Sequence, residues 1–181
     1  MSPTPYVDPT SSPAGPGAGS EISNLHPSAG RVAAWVAERG LTIEVREYPK
    51  DGARTAEDAA AAVGCRVDQI VKSMIFAAGD ELVLALTSGS NQVDGATLAE
   101  LAGVERCGRA DPEAVRSATG YAIGGVPPFG HATSLRTWVD PHLLDFDEVW
   151  AAAGTPRHVF PIAPTTLVEL TGAVTADFTR S

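Results

Sequence analysis

Lysine is nearly missing from this chain: two residues, Lys50 and Lys72, stand against eleven arginines in 181 positions. Cations are scarce altogether, with 13 Lys and Arg against 22 Asp and Glu and a formal net charge of −9. A phosphate-binding platform needs a basic stripe, so this balance excludes a protein that holds nucleic acid by broad charge and makes DNA an unexpected partner; it does not exclude a local basic pocket on an acidic body. Aromatic residues make up 6% of a chain that is 44% hydrophobic, so small side chains, alanine above all, must fill much of the core. The two cysteines, Cys65 and Cys107, lie far apart and form no CxxC pair or metal-like cluster, and read as reduced thiols of the core. No stretch reaches the roughly 20 apolar residues of a membrane span. The N-terminus has neither the basic n-region nor the apolar h-region of a secretory signal. A membrane is therefore not an expected partner, and the cytoplasm is the expected compartment. The phosphate-cradling GxxxxGK[ST] and the dinucleotide fingerprint GxGxxG are both missing.

What is present is one domain's worth of patterned sequence behind an unpatterned start. Residues 1–24 are dominated by Pro, Gly and Ser and predict a disordered tail, with a single folded domain over 25–181. "HPSAGRVAAWVAERG" predicts a helix capped by Ser28 and stopped at Gly40. "LTIEVREYP" alternates and predicts a half-exposed strand ended by Pro49. "TAEDAAAAVG" predicts a helix with Thr55 as N-cap. "QIVKSMIFAA" and "ELVLALTS", joined by "AGDE", predict a hairpin. "DGATLAELAG" and "DPEAVRSATG" predict two short helices, the second capped by Asp111 with Pro112 in its first turn. "LRTWVD", "HVFPI" and "AVTAD" read as strands, with "FDEVWAAAG" and "PTTLVELTG" as short helices between them. No regular βαβ rhythm emerges, so an α+β fold with a mixed sheet is expected.

Two stretches carry chemistry. In "IVKSMIF", strand alternation puts Lys72 on one face with Ile70, Met74 and Phe76, and Ser73 on the other. Either the lysine stem lies along apolar surface with its head in water, or the ammonium points into a pocket that supplies an anion or carbonyls. In "GYAIGGVPPFGH", Gly124 and Gly125 admit backbone conformations closed to other residues, and Pro127 and Pro128 stiffen the second half of the loop. This is either a shaped connector or a rigid loop whose main chain approaches a ligand.

The strand "QIVKSMIF", the loop "ATGYAIGGVPPFGH" and the late "WAAAGTPRHVFPIAPTTLVELTGA" together resemble the YbaK/EbsC-type aminoacyl-tRNA editing domains, the prolyl-tRNA-synthetase-associated deacylase-like family, from about residue 27 to about residue 178. The resemblance implies a compact α+β domain with a mixed, partly barrel-like sheet flanked by helices. It implies hydrolysis of the ester joining a wrong amino acid to the tRNA 3′ end. By the same resemblance Lys72 is the key lysine, holding the terminal nucleotide or aminoacyl group, and Gly124 and Pro128 are the ends of a GxxxP loop that, with Gly125, faces the substrate. His158 matches the late pocket histidine, as wall or general base, and Thr55 is a pocket hydroxyl. Ser73 is structural support. His131, His142 and His158 lack the spacing and acidic companions of a zinc site, so neither a metal nor another cofactor is expected. Neither cysteine lies in these motifs, and water attacking an activated ester is the implied chemistry. Arg106, Arg109, Arg116, Arg136 and Arg157 are candidates for a tRNA-holding patch; otherwise a synthetase or elongation factor delivers the tRNA. No synthetase catalytic or anticodon-binding region accompanies the motifs, so editing in trans is expected. The alternative is a catalytically silent domain that binds a nucleotide, a tRNA end or a partner protein. The amino acid removed, the tRNA and the oligomeric state are not encoded in any motif.

Overall fold

A computed structural model describes residues 24–49 and 52–181, so the expected tail over 1–24 lies almost wholly outside the described residues. Among the described residues five α-helices and ten strands build a mixed α+β architecture. The helices are α1 (Pro27–Ala37), α2 (Ala56–Val63), α3 (Gly95–Ala102), α4 (Pro112–Thr119) and α5 (Pro164–Thr171). Their boundaries follow local chemistry. Asp94 and Asp111 each accept two amide hydrogen bonds at the starts of α3 and α4, and Thr55 closes a reciprocal capping box with Asp58 on α2. Glycine in the left-handed region ends α2, α3, α4 and α5. The cap of α1 differs from expectation: His26, not Ser28, is the N-cap, its Nδ1 accepting from the Ser28 amide at 3.2 Å.

The strands are β1 (Arg46–Glu47), β2 (Ile70–Ala78), β3 (Glu81–Ser88), β4 (Gln92–Val93), β5 (Cys107–Arg109), β6 (Arg136–Val139), β7 (Val149–Ala152), β8 (His158–Ile162), β9 (Val174–Thr175) and β10 (Thr179–Arg180). The main sheet runs β1-β8-β7-β2-β3-β6-β9, with β5 also on β2; β4 and β10 form a separate pair. The hairpin β2–β3 is antiparallel over eight residue pairs from Val71↔Ser88 to Ala78↔Glu81, whereas β2–β7, β3–β6 and β6–β9 are parallel. The sheet is thus mixed.

The short strands β4, β5 and β10 have no counterpart in the sequence reading, and "AVTAD" forms a strand only at Val174–Thr175; two further elements differ more. The strand over "LTIEVREYP" shrinks to Arg46–Glu47, paired with Val159 and His158. Ile43 and Val45 still turn toward the core, so the alternation reports burial, but no neighbouring strand completes a ladder beside 41–45. The segment "FDEVWAAAG" is not a helix. Its Val149–Ala152 forms β7, buried between β2 and β8, and that sheet position overrides the helix preference of its alanines. Before it, Pro141–Asp145 makes an unpredicted 3₁₀ turn capped by Asp140.

The largest core cluster packs Val71, Ile75, Leu84 and Leu86 of the hairpin against Val32 and Val36 of α1, Phe129 and Phe160. A second cluster gathers Tyr48, Ala59, Ala60, Ile70, Trp150 and Val159 on the other face of β2. Cys65 and Cys107 are free and half-buried at cluster margins rather than deep in the core. Among the described residues no helix is long and apolar enough to cross a membrane.

Candidate functional site

The site begins with a split in the sheet. On the side of β2 away from β3, β7 pairs only with Ile70 and Val71, and β5 only with Phe76–Ala78. Between them β2 has no strand partner among the described residues. The Ile75 carbonyl accepts from Ala110 on this side, at 3.1 Å. Strand geometry therefore turns the Ser73 main-chain N–H and C=O, two residues earlier, toward the same opening. A cavity of about 420 Å³ fills the split, lined on the strand side by Ile70, Lys72, Ser73 and Met74.

Lys72 sits half-buried in this wall. Its ammonium donates to the Gly89 carbonyl at 3.2 Å and to the Asn91 carbonyl, both in the turn after β3. An ammonium has three N–H donors, so one remains for the cavity. Burial holds the amine below the usual lysine range, with Arg109 pushing the same way and Glu57 and Asp140 opposing. Among the described residues the ammonium pairs with no carboxylate; main-chain carbonyls accept from it.

Facing Lys72 is the start of α2. Thr55 Oγ1 accepts from the Asp58 amide at 3.1 Å, which leaves its O–H free to donate. Arg54, Ala56 and Ala59 line the same wall, and Arg109 enters from β5. The floor is apolar, made by Tyr48, Trp150 and Val159.

The third wall is the loop that contains Ile123, Gly124 and Val126. Gly124 has φ +90°. Gly125 is pressed onto the Thr155 main chain: a Cβ there would lie 2.5 Å from Thr155 Cα. The close approach that excludes a side chain is thus made by the protein's own 155–158 turn. His131 closes the loop from behind, its Nε2 lying 2.6 Å from the Pro127 carbonyl. In the 155–158 turn, His158 Nδ1 lies 2.6 Å from Thr155 Oγ1, and its ring tilts over His26 with centroids 5.7 Å apart. Burial pushes its pKa down, against the charge of Glu47. Thr155, Pro156 and His158 separate this cavity from an adjacent cleft holding His26, Glu47 and Arg157.

Of the residues singled out by sequence, Lys72, Thr55, Gly124 and His158 line one cavity; Gly125 and Pro128 are buried outside its lining. Ser73 contributes through its position on the split, while its Oγ is buried without a hydrogen-bond partner. Of the five arginines, Arg109 lines the cavity, Arg157 pairs with Glu47 at 2.8 Å in the adjacent cleft, and Arg136 pairs with Glu81 at 3.4 Å. His142 does gain acidic companions, Asp68 and Asp145, but away from the cavity. Sequence reasoning missed Arg54, Tyr48, Met74 and Trp150 as lining residues; each fits a local pattern of cap, core or strand, and only the tertiary fold gathers them.

With this geometry in place, comparison with known proteins gives a consistent result. Residues 50–170 match the family model described as the aminoacyl-tRNA editing domain. The chain is 31% identical over 127 residues to the uncharacterized protein YwhH of Bacillus subtilis, an alignment covering 70% of this chain and 80% of that protein. It is 34% identical over 112 residues to a proline--tRNA ligase of Nitratidesulfovibrio vulgaris, but spans only 19% of the length of that enzyme. A solved structure described as a candidate trans-editing enzyme for prolyl tRNA synthetase superposes with a TM-score of 0.81 at 46% identity, covering 87% of this chain and 100% of that one.

Proposed function

The chain belongs to the aminoacyl-tRNA editing domain family, and from that premise we propose that it is a trans-acting aminoacyl-tRNA deacylase that hydrolyses the ester of mischarged tRNA in the cytoplasm. The observation that carries this reading is the half-buried ammonium of Lys72, two donors fixed on Gly89 and Asn91 and one left over, in the wall of a cavity whose other walls are the Thr55 cap and the Gly124 loop. Such a cavity suits the acylated 3′ end of a tRNA. Lys72 holds the terminal nucleotide or the acyl group by charge and hydrogen bonding. The amino-acid side chain lies on the apolar floor of Tyr48, Trp150 and Val159. Water attacks the ester carbonyl, the bond from the carbonyl carbon to the ribose oxygen breaks, and a free amino acid and a free ribose hydroxyl result. The Ser73 amide, which faces the split, is suited to stabilise the oxyanion, and His158 shapes the opposite wall. Arg54 and Arg109 supply positive charge at the rim of an otherwise acidic protein.

The need for such an enzyme comes from binding energetics. One methylene in a pocket is worth about 1–3 kcal/mol, so a synthetase cannot reject a smaller amino acid by binding alone, and a second cavity destroys the errors that fit it. The match to the whole of a candidate trans-editing enzyme, over 87% of this chain, supports action on tRNA released by, or presented by, a prolyl-tRNA synthetase.

The test is hydrolysis of a panel of mischarged tRNAs by the purified protein and its Lys72→Ala variant. Turnover of at least one ester, lost in the variant, is the expected result. Binding of tRNA without turnover of any ester favours instead a catalytically silent binding domain.

A further inference from the structure

Asp140 sits just after β6 and is 1% exposed, yet it pairs with no lysine or arginine among the described residues. A buried carboxylate is costly unless hydrogen bonds stabilise its charge. Here three N–H donors do so. Oδ2 accepts from the Ser88 amide at 3.1 Å and from Asn91 Nδ2 at 2.9 Å, and Oδ1 accepts from the His142 amide at 3.0 Å. Two of these three bonds go to the ends of one turn, Ser88 to Asn91, which also closes on itself through Asn91 N to Ser88 O at 3.1 Å. That turn offers its Gly89 and Asn91 carbonyls to the Lys72 ammonium.

We propose that Asp140 is a positioning residue for Lys72: its buried carboxylate clamps the 88–91 turn so that two turn carbonyls hold the ammonium at the cavity wall with one donor free. The catalytic importance of the clamp rests on the deacylase reading; the clamp itself does not. It explains why the end of β6 carries a charge where the interior would accept an apolar residue at less cost. It also explains how a half-buried lysine with no carboxylate in contact stays in one place. The charged groups facing Lys72 are Glu57 from α2, Arg109 beyond the split and Asp140 behind the turn. The Asp140 charge therefore also helps Lys72 keep its proton.

A purely local role for Asp140, capping the 3₁₀ turn through His142, predicts no effect on Lys72, and the Asn91→Ala variant separates the two. It removes the side-chain arm of the clamp while leaving the Asp140 charge, the His142 bond and the Asn91 carbonyl in the chain. With only two lysines in the sequence, ¹³Cε-lysine NMR titration reads Lys72 directly, and a Lys50→Arg control assigns the signals. In both Asn91→Ala and Asp140→Asn the midpoint of the Lys72 amine is expected to fall by about half a pH unit while that of Lys50 stays fixed. Deacylation is expected to fall about tenfold in kcat, with KM within about twofold of wild type. An unmoved Lys72 midpoint in folded Asn91→Ala overturns the proposal. The titration needs no tRNA, so the two readings fail separately. A shifted midpoint in a protein that hydrolyses no ester leaves the clamp and removes the deacylase. Wild-type turnover with Asn91→Ala titrating and turning over like wild type removes the clamp alone.

Discussion

The cavity has two walls built by opposite means. The Lys72 wall is held by polar bonds: an ammonium on two carbonyls, and behind them a turn tied to a buried carboxylate. The loop wall is held by contact: Gly125 against the Thr155 main chain, and Phe129 stacked on Trp35 with ring centroids 4.8 Å apart. The first kind of wall depends on charge and donor geometry and tolerates little change in either. The second depends on volume and is indifferent to pH. A site that must bind a charged, hydrogen-bonding end on one side and keep a fixed shape on the other has reason to use both.

The largest expected effect breaks the polar wall. Replacing Lys72 by Ala removes the ammonium and is predicted to lower kcat/KM for ester hydrolysis by about 100-fold, with the melting temperature nearly unchanged because a half-buried charge is being deleted; kinetics and thermal denaturation on one preparation check this. The contact wall breaks differently. Gly125→Ala puts a Cβ 2.5 Å from Thr155 Cα, so the main chain must shift, and a loss of about 2–3 kcal/mol in unfolding free energy by urea titration is expected. If that variant is as stable as wild type, the contact is not what holds the loop. The α2 side comes next. Thr55→Ala loses the cap on the Asp58 amide and costs about 1 kcal/mol, whereas Thr55→Ser keeps the hydroxyl and restores most of it.

The smallest effect lies outside both walls and calibrates them. Hydrogen bonds to Asp145 and Asp68 hold the His142 pKa above its ordinary value, against burial. A raised folded pKa means stability that is fully present below the unfolded value near 6.5 and is lost as pH rises through the folded value. The melting temperature difference between wild type and His142→Gln should therefore be larger at pH 5.5 than at pH 8.5, by only about 1 °C for so exposed a group. His158 titrates in the opposite sense. Burial lowers its pKa, so its cost to stability appears as pH falls below about 6.5.

Much of the fold is legible in the sequence because its signals are local. Asp94, Asp111 and Thr55 announce helix starts by side-chain chemistry, and "AGDE" between two β-branched runs announces a hairpin. The misreading of "FDEVWAAAG" shows the limit. Its alanines favour a helix in isolation, and only the vacancy between β2 and β8, a long-range fact, makes Val149–Ala152 a strand. The site divides along the same line. Lys72 is conspicuous as a cation in an apolar strand, and the glycine pair as a conformational anomaly. Asp140 is not, because an aspartate before a proline reads as an ordinary turn; its meaning comes from an amide 52 residues away in sequence. The glycine pair reads in the sequence either as a shaped connector or as a close approach to a ligand, and in the structure the close approach at Gly125 is to the Thr155 main chain.

The most direct measurement is the time course of amino-acid release from mischarged tRNAs by wild-type protein and by Lys72→Met, which keeps the length of the stem and removes the charge. A deacylase built around the Lys72 ammonium gives multiple turnovers of at least one mischarged tRNA in the wild type, and release by Lys72→Met close to that of tRNA alone. Equal release by the two proteins would contradict that role for the ammonium.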